Sequence, residues 1–306
     1  TVNSKNEEAN ALLGFQRPDS ILRREDFITF KANWNPKSQN LAETAQELNL
    51  GTDSFVFADD NPAEREIIRQ NFQGLEIVNL DTPEHYIISI DRAGYFEMTY
   101  FSADDMRRSE MYRSNIARNQ ALTNFKDYGE YLRSLEMKGE IKPFSATYMS
   151  RISQLTNKSN QFNLTTRRYT QAQIEEAAAD PMKITLYGKL ADKFGDNGVV
   201  SVVIGSRKEN ALHIDLWLMS CRVLKRDMEY AMMDELVSKC MAAGIRRIVG
   251  YYYPTRKNGM VCDFYENHGF SQISADDMGN TVWEYLITDQ YKNRNEVINV
   301  NERSAT

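Results

Sequence analysis

Two carboxylates, an ammonium and a hydroxyl occur close to short apolar runs in the first sixty residues. Asp59 and Asp60 follow the apolar residues 55–58, and Ser4 stands near the start of the chain. Lys37 precedes Asp59 by 22 residues, which fits one helix plus one strand and can return the chain to the same end of a sheet. Such groups could hold a phosphate with Mg²⁺, which prefers one or two carboxylates plus substrate phosphate, while lysine neutralises developing charge. Taken singly, the acidic pair also fits a solvated turn and Lys37 a surface lysine.

The segments around these residues alternate between helix and strand. Apolar residues recur at helical spacing over 40–50, a continuous apolar run covers 54–58, a Pro-initiated helix covers 62–73 and a second strand covers 75–81. This order predicts a doubly wound parallel sheet. Ligands bind outside the carboxyl ends of strands in such sheets, and the acidic pair is placed at such an end.

Composition limits the possible partners. The chain has 306 residues, 42% of them hydrophobic, and a formal charge of −6. The acidic balance gives no electrostatic reason to expect nucleic acid, and no apolar run approaches the roughly 20 residues of a membrane span. Three cysteines, an odd and low number, favour a reducing compartment. We therefore expect a cytoplasmic protein without a nucleic-acid or membrane partner.

The later part of the chain predicts a separate α+β domain. Polar, Arg-rich helical sequence leads into an antiparallel run of strands, and a long helix then follows from 226 to 243. The expected organisation is a sheet domain over 1–105, a helical connector over 106–140, an α+β domain over 141–290 and a polar tail over 291–306.

The segment 149–170 is unusually polar. The amides of Asn160 and Asn163 suit a neutral polar ligand, and Arg167 suits phosphate or carboxylate. The alternative is a capping loop, with Thr170 as the N-cap of the next helix.

Three stretches carry a family resemblance: "SKNEEANALLGF", "FKANWNPKSQNLAETAQELNLGTDSFVFADDNPAERE" and "QLTNKSNQFNLTTRRYT". They resemble the FkbH-like proteins, in subfamily IIIC of the haloacid-dehalogenase (HAD) superfamily, over about residues 1–290. The resemblance implies that 1–105 is the C-terminal part of a HAD-like domain. It also implies that Ser4 hydrogen-bonds the phosphoryl group, that Lys37 neutralises charge and that Asp59 and Asp60 bind Mg²⁺. Lys31 is a further candidate for phosphate or substrate binding, and the resemblance favours binding over capping for the polar segment.

The resemblance implies a phosphatase and glyceryltransferase. Such proteins dephosphorylate a small phosphorylated acyl donor of the 1,3-bisphosphoglycerate type and load glyceryl onto an acyl carrier protein, in polyketide or surface-polysaccharide biosynthesis. Their nucleophilic Asp lies in a D-x-D segment upstream of the Ser4 motif. We therefore expect this sequence to act as part of a longer chain. Asn3 stands where many relatives have Cys, which keeps open the alternative of a plain Mg²⁺-dependent phosphatase of small metabolites. A non-catalytic binding module is a further alternative, because the D-x-D segment and the glycines of an acyl-CoA loop are absent from this sequence.

Residues 141–290 resemble a GNAT acyltransferase domain. "CRVLKRDMEYAMMDEL" matches the R/Q-x-x-G-x-G/A loop that holds the pyrophosphate of acyl-CoA, with Arg222 at its first position. Lys225 and Asp227 replace the expected glycines, so we do not expect ordinary acyl-CoA binding; Lys225 and its neighbour could instead meet the phosphopantetheine arm of a carrier protein. Cys221 and Tyr265 are candidates for acyl transfer, as thiol nucleophile and as proton donor to a thiolate. Both residues also fit a purely structural, buried role.

Overall fold

A computed structural model describes residues 1–97 and 106–301. The chain divides into two compact units, Thr1–Ala117 and Arg118–Thr306. This division falls within a helix that spans Arg108–Leu122. The boundary therefore lies inside the region predicted as a connector.

The first unit alternates strands and helices as the sequence predicts. Its strands are β1 (Val2–Ser4), β2 (Phe30–Ala32), β3 (Val56–Ala58) and β4 (Glu76–Val78); its helices are α1 (Glu8–Gln16), α2 (Lys37–Leu48), α3 (Pro62–Asn71) and α4 (Tyr86–Arg92), and α5 (Arg108–Leu122) begins here. Strand β1 pairs in parallel with β2, and β3 pairs in parallel with β4. The pairs form two separate two-stranded sheets.

Local sequence explains the two helices that flank the acidic pair. Helix α2 ends at Asn49, which adopts a left-handed conformation (φ 52°) that asparagine tolerates better than most residues. Helix α3 begins at Asn61, whose side chain accepts a hydrogen bond from the backbone N–H of Ala63 (2.9 Å), and Pro62 occupies the first helical position. A small core forms between these elements from Leu41, Phe57, Ile68 and Leu75.

The second unit is built on one large sheet. Its strands are β5 (Met137–Lys142), β6 (Lys183–Asp192), β7 (Gly195–Lys208), β8 (Ala211–Met219), β9 (Arg247–Tyr252), β10 (Ser271–Ala275), β11 (Thr281–Leu286) and β12 (Ile298–Val300). Its helices are α6 (Tyr128–Ser134), α7 (Met149–Lys158), α8 (Gln171–Ala179), α9 (Met228–Ala242) and α10 (Phe264–Asn267).

The eight strands lie in the order β10-β11-β9-β8-β7-β6-β5-β12. Neighbours are antiparallel except β8 with β9 and β5 with β12, which are parallel. Helices α7 and α8 pack on one face through Ile152, Leu155 and Ile174, and α9 packs into the other core cluster. The predicted architecture, an α/β unit with parallel strands followed by an α+β unit built on a large, mainly antiparallel sheet, is confirmed.

Two predicted boundaries differ from the structure. Strand β5 starts at Met137, so the second sheet begins before the predicted end of the connector at 140. The predicted polar tail contains β12, because Asp234 on α9 accepts hydrogen bonds from the backbone N–H groups of Arg294 (3.0 Å) and Asn295 (2.9 Å). Those bonds hold the chain so that the buried Ile298 can pair with β5.

Among residues 1–97 and 106–301, no helix has both the length and the apolar character needed to cross a membrane.

Candidate functional site

Asp59 lies directly after β3, and its carboxylate is held on both sides. Oδ2 contacts the Lys37 ammonium, and Oδ1 accepts a hydrogen bond from the backbone N–H of Asn61 (3.0 Å). The side chain of Asp59 is 4% exposed and that of Lys37 is 14% exposed. Asp60, the next residue, is exposed. The spacing of 22 residues therefore brings together the ammonium and the carboxylate that the sequence predicted to meet.

Lys37 is the first residue of α2, and a network of amides fixes its backbone. Asn3 on β1 donates from Nδ2 to the carbonyl oxygen of Lys37 (2.8 Å). The fully buried Asn40 donates to Oδ1 of Asn3 (3.1 Å) and to Oδ1 of Asn33 (2.9 Å). Because buried amides are strongly bound when satisfied, this network holds the start of α2 against the end of β1.

Ser4 is the last residue of β1 and lies between two anchored neighbours. Asn3 reaches the Lys37 backbone, and the Lys5 ammonium lies 2.6 Å from Oε1 of Glu64 in the first turn of α3. The carboxyl end of β1 is therefore tied to the elements that follow β2 and β3. Ser4 shares the end of the unit that carries Lys37 and Asp59.

Arg65 fixes the loops that follow β3 and β4. Its Nη1 donates to the carbonyl oxygens of Asp59 (2.7 Å), Asp60 (3.0 Å) and Leu80 (3.0 Å). Arg65 was not predicted from the sequence, although its position in the first turn of the helix after the acidic pair was an available signal. Asn40 and Glu64 were also missed, because each contacts another element far away in sequence.

The six charged side chains described above sum to zero net charge. They are three cations and three anions: Lys5, Lys37, Arg65, Asp59, Asp60 and Glu64. A phosphate dianion added to a neutral cluster requires further positive charge, which a divalent cation supplies.

The donor set fits Mg²⁺ held mainly by phosphate and water. Asp59 and Asp60 are adjacent carboxylates, and Mg²⁺ in phosphate sites usually binds one or two carboxylates. Within the described parts of the chain, no group of three or more His, Cys, Asp or Glu residues is arranged to hold a metal ion. These residues therefore fit an ion that is coordinated partly by the protein, through Asp59 and Asp60, and partly by phosphate and water. They do not fit an ion that is coordinated by protein ligands alone.

Lys31 has a different position from the other candidates. Its ammonium lies 3.1 Å from Oε2 of Glu43 and 2.7 Å from Oε1 of Glu47 on α2. Partial burial lowers the pKa of Lys31, but the hydrogen bonds to the two glutamates outweigh it and raise the pKa overall. In this structure the charge of Lys31 holds β2 against α2.

The polar segment of the second unit is mostly satisfied by its own contacts. The buried Asn163 donates to the Ser159 carbonyl (3.3 Å) and accepts from the backbone N–H of Thr166 (2.8 Å). Asn160 contacts the guanidinium of Arg168. The predicted cap at Thr170 is confirmed, because Thr170 and Gln173 form a capping box.

Arg167 differs from the amides of this segment. Its Nη1 lies 3.2 Å from Oδ1 of Asp215, and its side chain is 49% exposed. A guanidinium exposed to this degree remains accessible to an anion.

The loop after β8 has left-handed backbone conformations that glycine usually adopts, although it contains no glycine. Lys225 (φ 61°) and Asp227 (φ 60°), at the two expected glycine positions, are both left-handed. Such conformations strain residues with a Cβ. Arg222 at the start of the loop directs Nε to the Ser220 hydroxyl (3.3 Å).

The two candidates for acyl transfer lie in buried surroundings. Burial raises the pKa of the Cys221 thiol, which disfavours the nucleophilic thiolate. Tyr265 is fully buried, and its hydroxyl oxygen accepts from the backbone N–H of Tyr251 (3.1 Å). Burial also raises the pKa of Tyr265. These contacts give Tyr265 a packing role in the core.

No protein-family model and no curated protein matches the chain. Among solved structures, the N-terminal part of BF1531 from Bacteroides fragilis, described as containing a phosphatase domain complexed with Mg, is 37% identical over 33% of this chain, with a TM-score of 0.31. The match spans 27% of that chain, about a quarter of its length.

Two acetyltransferases match the second half. The ribosomal-protein-S18-alanine N-acetyltransferase from Escherichia coli is 10% identical over 51% of this chain and 97% of its own, with a TM-score of 0.38. A GNAT-family acetyltransferase from Streptococcus pneumoniae is 14% identical over 49% of this chain and 100% of its own, with a TM-score of 0.40. The chain is thus similar in one part to a phosphatase domain and in another to GNAT acetyltransferases.

Proposed function

We propose that the first unit is the phosphate-binding half of a Mg²⁺-dependent phosphatase that acts on a small phosphorylated acyl donor. In this proposal the full protein dephosphorylates a donor of the 1,3-bisphosphoglycerate type and loads glyceryl onto an acyl carrier protein. The observation that carries the proposal is the cluster around the Lys37–Asp59 ion pair. Mg²⁺ and a phosphate dianion would together leave the net charge of this cluster unchanged.

In this proposal, six residues at this end of the unit each have a task. The Ser4 hydroxyl donates a hydrogen bond to a phosphoryl oxygen, and the Lys37 ammonium offsets the negative charge that develops as the phosphoryl group transfers. Asp59 and Asp60 provide the ligands for Mg²⁺, which supplies further charge neutralisation when bound. Asn3 and Asn40 position Lys37 through its backbone.

The split sheet indicates where a nucleophile would enter. Strands β1 and β3 belong to separate parallel pairs, yet contacts between Lys5 and Glu64 and between Lys37 and Asp59 tie the two pairs at their carboxyl ends. A strand that pairs with both would place its own carboxyl end beside Lys37. We propose that such a strand supplies the carboxylate that attacks the phosphorus of the donor's phosphate ester, with the alcohol oxygen leaving. The acyl phosphate of the donor is then retained, and the carrier thiol attacks its carbonyl carbon with phosphate as the leaving group.

The test is to incubate the complete protein with donor and carrier protein and to measure the mass of the carrier. Added glyceryl mass is expected, and Lys37→Ala should abolish it. Arg69→Ala is the matched control, since Arg69 lies on α3 with its side chain 59% exposed and pairs with Glu66. An unmodified carrier together with unconsumed donor would refute the proposal.

A plain phosphatase is the second candidate function. Both polar groups of the Asn3 side chain are engaged, with the Lys37 carbonyl and with Asn40, and an amide cannot carry an acyl thioester. Release of phosphate in the absence of carrier protein, together with an unmodified carrier in its presence, would select this function.

A further inference from the structure

Strands β8 and β9 separate after a short paired stretch, and another segment of the chain lies in the gap between them. The two strands pair only over 211–213 and 247–249. Beyond these residues, the N–H of Leu164 donates to the carbonyl of Trp217 (3.1 Å), and the N–H of Met219 donates to the carbonyl of Phe162 (3.0 Å). On the other side, the N–H of Tyr253 donates to the carbonyl of Leu164 (2.9 Å). Residues 162–164 therefore act as a short strand inserted between β8 and β9, here called the wedge segment.

Side chains lock the wedge segment in place. The fully buried Asn258 donates from Nδ2 to the carbonyl oxygens of Asn163 (3.0 Å) and Tyr253 (2.9 Å). The hydroxyl of Thr165 donates to the carbonyl of Asp215 (2.7 Å). These bonds satisfy backbone groups that would otherwise be free to pair with a ligand, and breaking them without replacement is costly.

Aromatic rings fill the space beneath the wedge segment. Phe162 packs edge-to-face on Phe264 (5.5 Å between ring centroids), and Trp217 packs on the same ring at 4.9 Å. His268 stacks on Phe264 at 4.2 Å. Trp217 is fully buried and the other three side chains are nearly so, so this region is packed as a core.

Two carboxyl groups stand at the start of α9, beside a loop that also carries Arg222, Lys225 and Arg226. Asp227 precedes the first residue of α9, and Glu229 lies in its first turn. Burial, and to a smaller extent the nearby Asp227, raises the pKa of Glu229 to about 7. The Arg226 guanidinium lies 3.2 Å from Asp192 and donates to the carbonyl of Arg222 (2.6 Å), so its charge is used internally. A pyrophosphate at this helix start would meet carboxyl groups where it needs open N–H groups.

We infer that the second unit is closed to a phosphopantetheine arm, both in acyl-CoA and on a carrier protein. An arm with its phosphate at the loop after β8 would have to enter the gap between β8 and β9. The wedge segment already forms hydrogen bonds with backbone groups on both sides of that gap, and the aromatic rings beneath it fill the space that the arm would need. Where the inference concerns the carrier protein it rests on the proposed function: the carrier arm is received elsewhere than in this gap.

Hydrogen exchange on the whole chain tests the inference, without donor or Mg²⁺ so that the result is independent of phosphate chemistry. The probes are CoA and phosphopantetheine at millimolar concentration. We expect the amides of Leu164, Met219 and Tyr253 to exchange slowly and at the same rate with and without either probe, and calorimetry to give no saturable heat. Saturable binding of either probe, or a change in exchange at these amides, would overturn the inference.

A variant tests whether the side chain of Asn258 holds the wedge segment in place. Asn258→Ala removes the donor to Asn163 and Tyr253, and exchange of the Leu164 and Tyr253 amides should accelerate by at least about tenfold. Asn280→Ala is the control, because its amide bonds to Asp276 in the β10–β11 turn and should leave these amides unchanged. Equal exchange in both variants would show that the segment is not held as described.

Discussion

Replacing Arg65 by alanine should destabilise the first unit by about 3–6 kcal/mol. The residue is 8% exposed, and its Nη1 contacts three carbonyl oxygens, those of Asp59, Asp60 and Leu80. One such nitrogen carries two protons, so the three contacts amount to about two hydrogen bonds. A hydrogen bond from a charged donor contributes about 1.5–3 kcal/mol. The Asp60 carbonyl belongs to an exposed residue that can turn to water, so the two bonds to the Asp59 and Leu80 carbonyls set the total.

The assay is urea unfolding followed by hydrogen exchange of peptides that cover β3 and α3, with peptides from β6 and β7 as the internal reference. Arg69→Ala is the matched control on the same helix, because the Arg69 side chain is 59% exposed and exposed ion pairs contribute about 0–1 kcal/mol. If both variants lower the free energy of unfolding equally, the carbonyl contacts of Arg65 do not stabilise the unit as argued.

Three further predictions follow from other contacts. Asp59→Asn removes a proposed Mg²⁺ ligand and should weaken Mg²⁺ binding by at least about tenfold in calorimetry; unchanged affinity would contradict the assigned ligand. Glu229→Gln should stabilise the chain at high pH: burial raises the Glu229 pKa from 4.5 to about 7, so the folded state loses stability as pH rises between these values. The gain should reach about 3 kcal/mol at pH 8 and vanish at pH 4; a gain equal at both would contradict it. Gly250→Ala should cost about 2 kcal/mol or more, because its Cβ would lie 2.2 Å from the Tyr265 ring. Gly14→Ala, with nothing within 4 Å, should have little effect, and equal thermal shifts would refute the clash.

The sequence predicted the parts of the site that depend on local order. Asp59 and Lys37 were found because a strand, a helix and a strand return the chain to the same end of a parallel sheet. Arg65 and Asn40 were not found, because their partners are backbone carbonyls and amides that become neighbours only in the folded unit. The division of the parallel sheet into two pairs is also a matter of tertiary pairing, which helix and strand periodicity does not report.

The second unit shows the same limit. The cap at Thr170 follows from a local pattern and was predicted, whereas the position of the Asn163 backbone depends on contacts with residues as distant as Asn258. Strand β12 was missed because it is only three residues long within a polar stretch, and its position depends on Asp234 about sixty residues earlier.

The pairing of β12 with β5 has a consequence for biosynthesis. Ile298 to Val300 lie beside Met137 to Gly139, and a Cβ at Gly139 would lie 2.9 Å from the Ile298 side chain. At this edge of the sheet, the first strand of the unit in sequence therefore pairs with the last. A nascent chain cannot complete this border until the ribosome has released residue 300, so the unit reaches its final cooperativity only after nearly all of it has been translated.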